Sequence, residues 1–342
     1  MNSILQLLAK RPVLITIVVC VAMYFLAGFT TDRPFFNVYT MINLLQNNAM
    51  LGIVAVGMTC VILTGGIDLS VGSVIGWSTL ICAFLIQTPK GQPSFFHGWN
   101  PFLAMATVVA IATACGLVVG IMVHYLEIPP FLITLAMLFL YRGWALVVTT
   151  NEISVTEPHV KALADGLFSV PDPLTKVRAG QDYIQVPVYI RTVALLTVLA
   201  IGSWLVRYTG FGRSLYAIGG SENSANLMGL PVARSKVVVY GVCSFCSALA
   251  GLALFTQKSA GAALNARGNE LDAIAVTVIG GTLLSGGVGG IVNTFVGLIT
   301  YAIISNAMSL HAFPTGVDRM DIGGLLLAFI LLQKLLQMKR RA

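Results

Sequence analysis

Charge is what this sequence has least of. Only 10% of its 342 residues are Asp, Glu, Lys or Arg, where soluble domains carry about a quarter. With 57% hydrophobic residues and a mean hydropathy of +0.87, the chain has no polar coat that could hide an apolar core from water. A soluble globular domain is excluded, and lipid is the solvent that fits.

Metal-ligating and redox groups are equally thin. The four histidines (His97, His124, His159, His311) stand singly, without ligand spacing. The six cysteines (Cys20, Cys60, Cys82, Cys115, Cys243, Cys246) all fall inside apolar runs, which does not read as a disulfide framework. Cys243 and Cys246 form a CxxC with no βαβ context, so they read as small packing residues rather than a redox pair. There is no GxSxG elbow, no HExxH and no GxxxxGK[ST] phosphate loop, so the chain lacks the usual means of hydrolysing ATP. The formal charge of +7 is scattered near the ends of apolar runs and forms no basic stripe, which excludes nucleic acid as a partner.

Long apolar runs are what the sequence has instead. A span needs about 20 apolar residues, and ten candidates cover 12–29, 42–64, 68–88, 101–125, 129–149, 187–206, 235–257, 270–285, 288–310 and 320–338. The first follows Lys10-Arg11 and reads as a retained signal-anchor helix. The expected fold is all-α: one polytopic transmembrane bundle of about ten spans over residues 1–342. Lys10 and Arg11, the loop 207–236 with Arg207, Arg213, Arg234 and Lys236, and Lys339 to Arg341 then share one side. The positive-inside rule makes that side, and with it both termini, cytoplasmic. The mixed-charge, Pro- and Gly-bearing segment 150–187 becomes a periplasmic loop, too short for a catalytic module of its own.

One segment recurs. Gly65-Gly66-Ile67-Asp68-Leu69-Ser70-Val71-Gly72 matches Gly280-Gly281-Thr282-Leu283-Leu284-Ser285-Gly286-Gly287 at five of eight positions. Each copy ends one apolar run and opens the next, and under this topology both point the same way, so an inverted repeat is not supported. Breaks of this kind are where transporters place substrate routes.

Polar groups at membrane depth are costly and so informative. Asp68 reads either as a cap organising its helix break or as a group lining a substrate path. Asn47 and Asn48 could bond sugar hydroxyls or glue helices together. Glu270 and Asp272 read as first-turn acids of the eighth span. No embedded pair suggests a proton relay. In the loop, Ser221 is a candidate N-cap of a short helix running to Met228 and stopped by Gly229 and Pro231. Such an element would serve as a docking helix for a cytoplasmic partner, or as a plain connector.

Several stretches together resemble the ribose-type sugar permeases of ABC importers. They are Gly57-Met58-Thr59 with Val61 through Ser73; Ile128-Pro129-Pro130-Phe131 with Thr134-Leu135 and Arg142-Gly143; Tyr216 through Gly220 with Ala225-Asn226-Leu227-Met228-Gly229; and Glu270 through Ala275 with Val278 through Thr282 and Leu284 through Gly287. They run in order from about residue 43 to 290. Within the family the resemblance is strongest to galactofuranose-importer permeases, in Ala225 to Gly229 and Gly281 to Gly289.

The resemblance implies a multi-pass protein of the bacterial inner membrane that is not an enzyme and binds no cofactor, with ATP and Mg held by a separate ATPase. Implied partners are that cytoplasmic ABC ATPase, a periplasmic sugar-binding protein, the lipid bilayer and a second permease chain. The pairing would be a heterodimer, with a homodimer left open. Glu222, Asn223, Ser224, Ala225, Asn226 and Gly229 would form the coupling segment, a degenerate Glu-Ala-Ala-x-x-x-Gly. Asn47, Asn48, Asp68 and Ser70 are the expected substrate-path residues. Alternating access would move the sugar. The rival readings are an ion-coupled secondary carrier and an intramembrane enzyme.

Overall fold

Lipid offers no partner for backbone N–H and C=O groups, so each spanning segment must close its own hydrogen bonds, and apolar runs become helices. The computed structural model describes residues 12–30, 37–87, 98–176 and 183–310, with isolated positions between 320 and 331. The first helices are α1 Pro12–Thr30, α2 Val38–Asn47 and α3 Ala49–Leu63, the last two joined through a 57° bend. Then come α4 Val71–Ile86, α5 Pro101–Tyr125 and α6 Pro130–Val148. Proline opens α5 and α6, where its missing N–H costs the helix nothing.

A small extramembrane block follows: β1 Ile153–Ser154, α7 Pro158–Ala164, β2 Gly166–Lys176 and β3 Tyr183–Tyr189. The chain continues through α8 Ile190–Tyr208, α9 Gly210–Gly220, α10 Glu222–Leu227 and α11 Val232–Lys258. It then forms β4 Ala260–Gly261, α12 Asn269–Ile279 and α13 Ile291–Leu310.

Among the described residues α5, α6, α8, α11 and α13 are each long and apolar enough to cross a bilayer. The bent α2–α3 pair can serve as a sixth span, and α1 and α4 hold shorter apolar helices. The polytopic helical bundle expected from composition is therefore present. The tenth candidate span, 320–338, lies largely outside the described residues, and the terminal charges at 10–11 and 339–341 lie wholly outside them.

One expectation needs correction. The eighth candidate, 270–285, is not a continuous span. Its helix α12 has 11 residues, about 16 Å of rise against a hydrocarbon core of about 30 Å. A glycine-rich stretch without helix follows, and its first residues, 280–282, are buried in protein, where non-helical backbone is tolerated. The segment 150–187, expected as a connecting loop, carries secondary structure of its own. β2 and β3 pair as an antiparallel hairpin, with Val170 opposite Val186, and β1 pairs with β4. In β3, Val186 and Val188 are buried while Gln185 is exposed, the alternation of a half-buried strand.

The core follows from which helices are apolar all round. In α3 every residue but Met50 is buried, and α11 packs across α3, α4 and α5. Small residues set these crossings. Gly57 of α3 lies against Cys243 and Cys246 of α11, and Gly116 and Gly120 of α5 lie against Ser244 and Val237. The CxxC thus sits at a close helix crossing, its thiols free and buried. By contrast α5, α6 and α8 turn large apolar side chains outward, Val147 being 86% exposed. That surface suits lipid and not water.

The bend between α2 and α3 is fastened from outside. Gln46 Nε2 donates to the carbonyl of Pro187 at 2.6 Å, and Arg191 Nε donates to the carbonyl of Gln46 at 3.3 Å. Thr16 Oγ donates to the carbonyl of Ile279 at 2.7 Å, supplying a partner to a carbonyl at the end of the half-length α12.

Candidate functional site

The residues singled out by sequence fall at two ends of α3. Asn48 marks the bend, its Nδ2 donating to the carbonyl of Leu44 at 2.9 Å, and Asn47 beside it is exposed. Asp68 and Ser70 lie past the opposite end. Asp68 is 1% exposed, and its carboxylate accepts from Ser70 N at 2.9 Å and Ser70 Oγ at 2.6 Å. The Cys243 thiol of α11 is also in hydrogen-bonding contact with it. Asp68 therefore ties down the turn that opens α4, satisfying the Ser70 N–H, which the helix cannot. Two pairs separated by a helix of 15 residues, about 22 Å of rise, do not form one site.

The short helix between α9 and α11 is built as its sequence suggests. Ser221 Oγ accepts from Ser224 N at 3.3 Å to open α10. At the other end Leu230 N donates to Ala225 O at 3.1 Å and Gly229 N to Asn226 O at 2.9 Å, with Gly229 at φ +73°. This is a Schellman closure, which needs a left-handed residue where Gly229 stands. Ala225 is fully buried against Ile218 and Val232, and the Glu222 carboxylate pairs with Lys236 at 2.5 Å. Both contacts hold the helix on the body of the protein. Asn223, Ser224, Asn226 and Gly229 are exposed, and beside them the helix presents two large apolar side chains, Leu227, 89% exposed, and Met228, 66% exposed. Neither was among the residues expected to couple. Their signal was present in the sequence, as two large apolar side chains beside a Gly–Leu–Pro stop.

The helix breaks and this loop meet at one place. Gly287 N, in the second break, donates to the carbonyl of Leu63, the last residue of α3, at 2.9 Å. Gly219, near the end of α9, packs between them. A Cβ there would run into Leu63 O and Gly287 N, and would come within 2.9 Å of the carbonyl carbon of Gly286. Three stretches of backbone approach this closely because Gly219, Gly286 and Gly287 carry no side chains.

Tyr216 adds a second tie, its hydroxyl donating to Gly289 O at 2.9 Å. Burial pushes this phenol above its ordinary value, so it remains a neutral donor. Α3 and α12 also run the same way: Asn269, at the start of α12, reaches Met50 near the start of α3, and both helices end toward this junction. The two copies of the repeated segment therefore lie together at the end that charge assigns to the cytoplasm. They leave their helices one residue out of step, because the left-handed glycine is Gly65 in the first and Gly281, the match of Gly66, in the second.

These features define a class of protein: a multi-pass membrane protein whose helix breaks are joined, through backbone contacts, to a short exposed helix. Residues 40–331 match the family described as "Branched-chain amino acid transport system / permease component", and the chain belongs to that family. It is 37% identical to the inner membrane ABC transporter permease protein YjfF of Escherichia coli (strain K12), over 94% of this chain and 92% of that one. It is 33% identical to the ribose import permease protein RbsC of the same strain, over 82% of this chain and 81% of the other. It is 30% identical to the xylose transport system permease protein XylH of that strain, over 92% and 89%. No solved structure matches the chain.

Proposed function

We propose that this chain is the membrane permease of an ATP-driven importer for a monosaccharide, seated in a bacterial inner membrane and worked by alternating access. The observation that carries the proposal is the junction at Gly219. It places the end of α9, one residue beyond Gly220 from the cap of α10, against both helix breaks. A push on α10 would therefore be delivered directly to the end of α3 and to the glycine break that follows α12. A partner ATPase holding ATP and Mg would grip α10 through Leu227 and Met228, with Glu222, Asn223, Ser224, Asn226 and Gly229 shaping and surrounding that grip. Ala225 anchors it from beneath.

No chemistry on the sugar is required. The protein needs two packings close in energy, between which ATP selects. Asn47 and Asn48 at the outer bend and Asp68 and Ser70 at the inner break would then mark the two ends of the route along α3. We assign galactofuranose as the sugar, on the resemblance in Ala225 to Gly229 and Gly281 to Gly289. The names of the relatives, ribose and xylose permeases among them, support a monosaccharide as the class. A second permease chain of different sequence completes the pore, and a periplasmic binding protein delivers the sugar.

The test is a binding screen of the cognate periplasmic protein against pentoses, hexoses in pyranose and furanose forms, and branched-chain amino acids. Binding of a furanose sugar supports the assignment, binding of another monosaccharide removes galactofuranose alone, and binding only of amino acids overturns the sugar class.

A further inference from the structure

A second feature of the cytoplasmic end lies beside the junction and takes no part in it. A groove of about 560 Å³ opens between the end of α8, the start of α9, the Leu230–Pro231 turn and the first three turns of α11. That volume falls in the range of small-molecule sites. Its walls are mainly apolar, Leu205, Phe211, Val238 and Val242 among them, and its rim carries Arg213 and Arg234. Both arginines are exposed, and among the described residues neither pairs with a carboxylate.

The order of these groups along α11 identifies the ligand chemistry. Arg234, Val238 and Val242 stand at four-residue intervals and so share one helix face. They cover about 12 Å along the helix from its first turn toward its middle. A guanidinium at the edge, followed inward by half-buried valines, is the profile of a phosphate above an acyl chain. The two serines in the lining, Ser214 and Ser235, are buried, and Ser214 Oγ already donates to the Gly210 carbonyl, which leaves few groups for the hydroxyls of a sugar.

We infer that this groove binds an anionic phospholipid of the cytoplasmic leaflet, its phosphate held between Arg213 and Arg234 and its chain laid along Val238 and Val242. Arginine is suited to phosphate by its fork of donors, and the anionic leaflet faces these residues. The lipid would rest on Pro231 and Leu230, directly after the closure of α10. Its occupancy would therefore brace the docking helix from the membrane side.

The test uses the full importer complex, stripped of lipid in detergent, titrated with phosphatidylglycerol or phosphatidylcholine and read by native mass spectrometry. Wild type should retain about one phosphatidylglycerol per permease chain in preference to phosphatidylcholine. R213Q/R234Q should weaken that retention by about tenfold or more, since charge-assisted hydrogen bonds are lost, and R213K/R234K should restore much of it. V242W, which keeps both arginines and fills the apolar floor, should weaken it as well. Equal retention of the two lipids by wild type overturns the inference. So does undiminished phosphatidylglycerol binding by the double glutamine variant, or by V242W in an assembled complex. A groove found filled by a second permease chain would overturn it too.

Discussion

Replacing Gly219 by alanine adds one methyl group where three backbones meet. The new Cβ would overlap Leu63 O and Gly287 N and press on the carbonyl carbon of Gly286 at 2.9 Å. Backbone cannot step aside as a flexible side chain can, so an overpacking cost of about 1–3 kcal/mol applies. Forcing the segments apart also stretches the Gly287 N to Leu63 O bond of 2.9 Å, worth a net ~0.5–1.5 kcal/mol. Alanine recovers up to about 1 kcal/mol of helix propensity in α9. The balance is a loss of roughly 1–3 kcal/mol, or about 5- to 150-fold in the population of the joined arrangement.

Gly220 is the matched control, since a Cβ there meets nothing within 4 Å. The assay is ATP-driven sugar uptake into vesicles holding the assembled importer, with ATP hydrolysis measured in parallel. G219A should cut uptake at least about fivefold and depress hydrolysis less, while G220A stays close to wild type. Equal behaviour of the two variants, in complexes of equal yield, would refute the idea that this contact transmits force.

Three further outcomes are expected. L227E/M228E alters only exposed side chains, so thermal stability should change by less than about 0.5 kcal/mol while co-purification of the ATPase is lost. Retained ATPase would remove these two residues from the docking surface. G229V places a β-branched residue at φ +73° and should cost about 1–2 kcal/mol. It would loosen α10 and lower ATPase assembly, with G229N milder on the same co-purification assay. D68N keeps one oxygen to accept from Ser70 and should retain most transport, whereas D68A strands the turn before α4 at about 1–3 kcal/mol. Uptake abolished by D68N in a stably folded protein would show that the charge of Asp68 serves the substrate route rather than the turn.

Much of the architecture was legible because lipid simplifies the code. The span 101–125 coincides with α5 to the residue, and 129–149, 187–206 and 235–257 differ from their helices by a few residues at each end. Ser221, Gly229 and Pro231 delimit α10 because caps are local chemistry. The failures were tertiary. Hydropathy cannot separate a full span from an 11-residue helix continued by buried glycine-rich backbone, which is why 270–285 was misjudged. The hairpin Gly166–Tyr189 carries an alternating pattern, but its Pro and Gly residues read as loop until β2 and β3 are seen paired.

The two Gly-Gly segments were recognised as alike, yet nothing in either indicates that Gly286 lies against Gly65 with Gly219 beside them. Contacts among residues without side chains leave no complementarity in sequence. The exposure of Leu227 and Met228 was hidden for a different reason: their residue types suit a core as well as a surface.

The central claim is that this chain moves a sugar because a separate ATPase moves α10. It is tested most directly by uptake of labelled monosaccharide into vesicles containing the permease chains, with binding protein outside and with or without the ATPase and ATP inside. The account predicts uptake that requires both ATPase and ATP and continues when an ionophore collapses proton and sodium gradients. Uptake that follows an ion gradient in the absence of ATP would contradict it and identify an ion-coupled carrier instead.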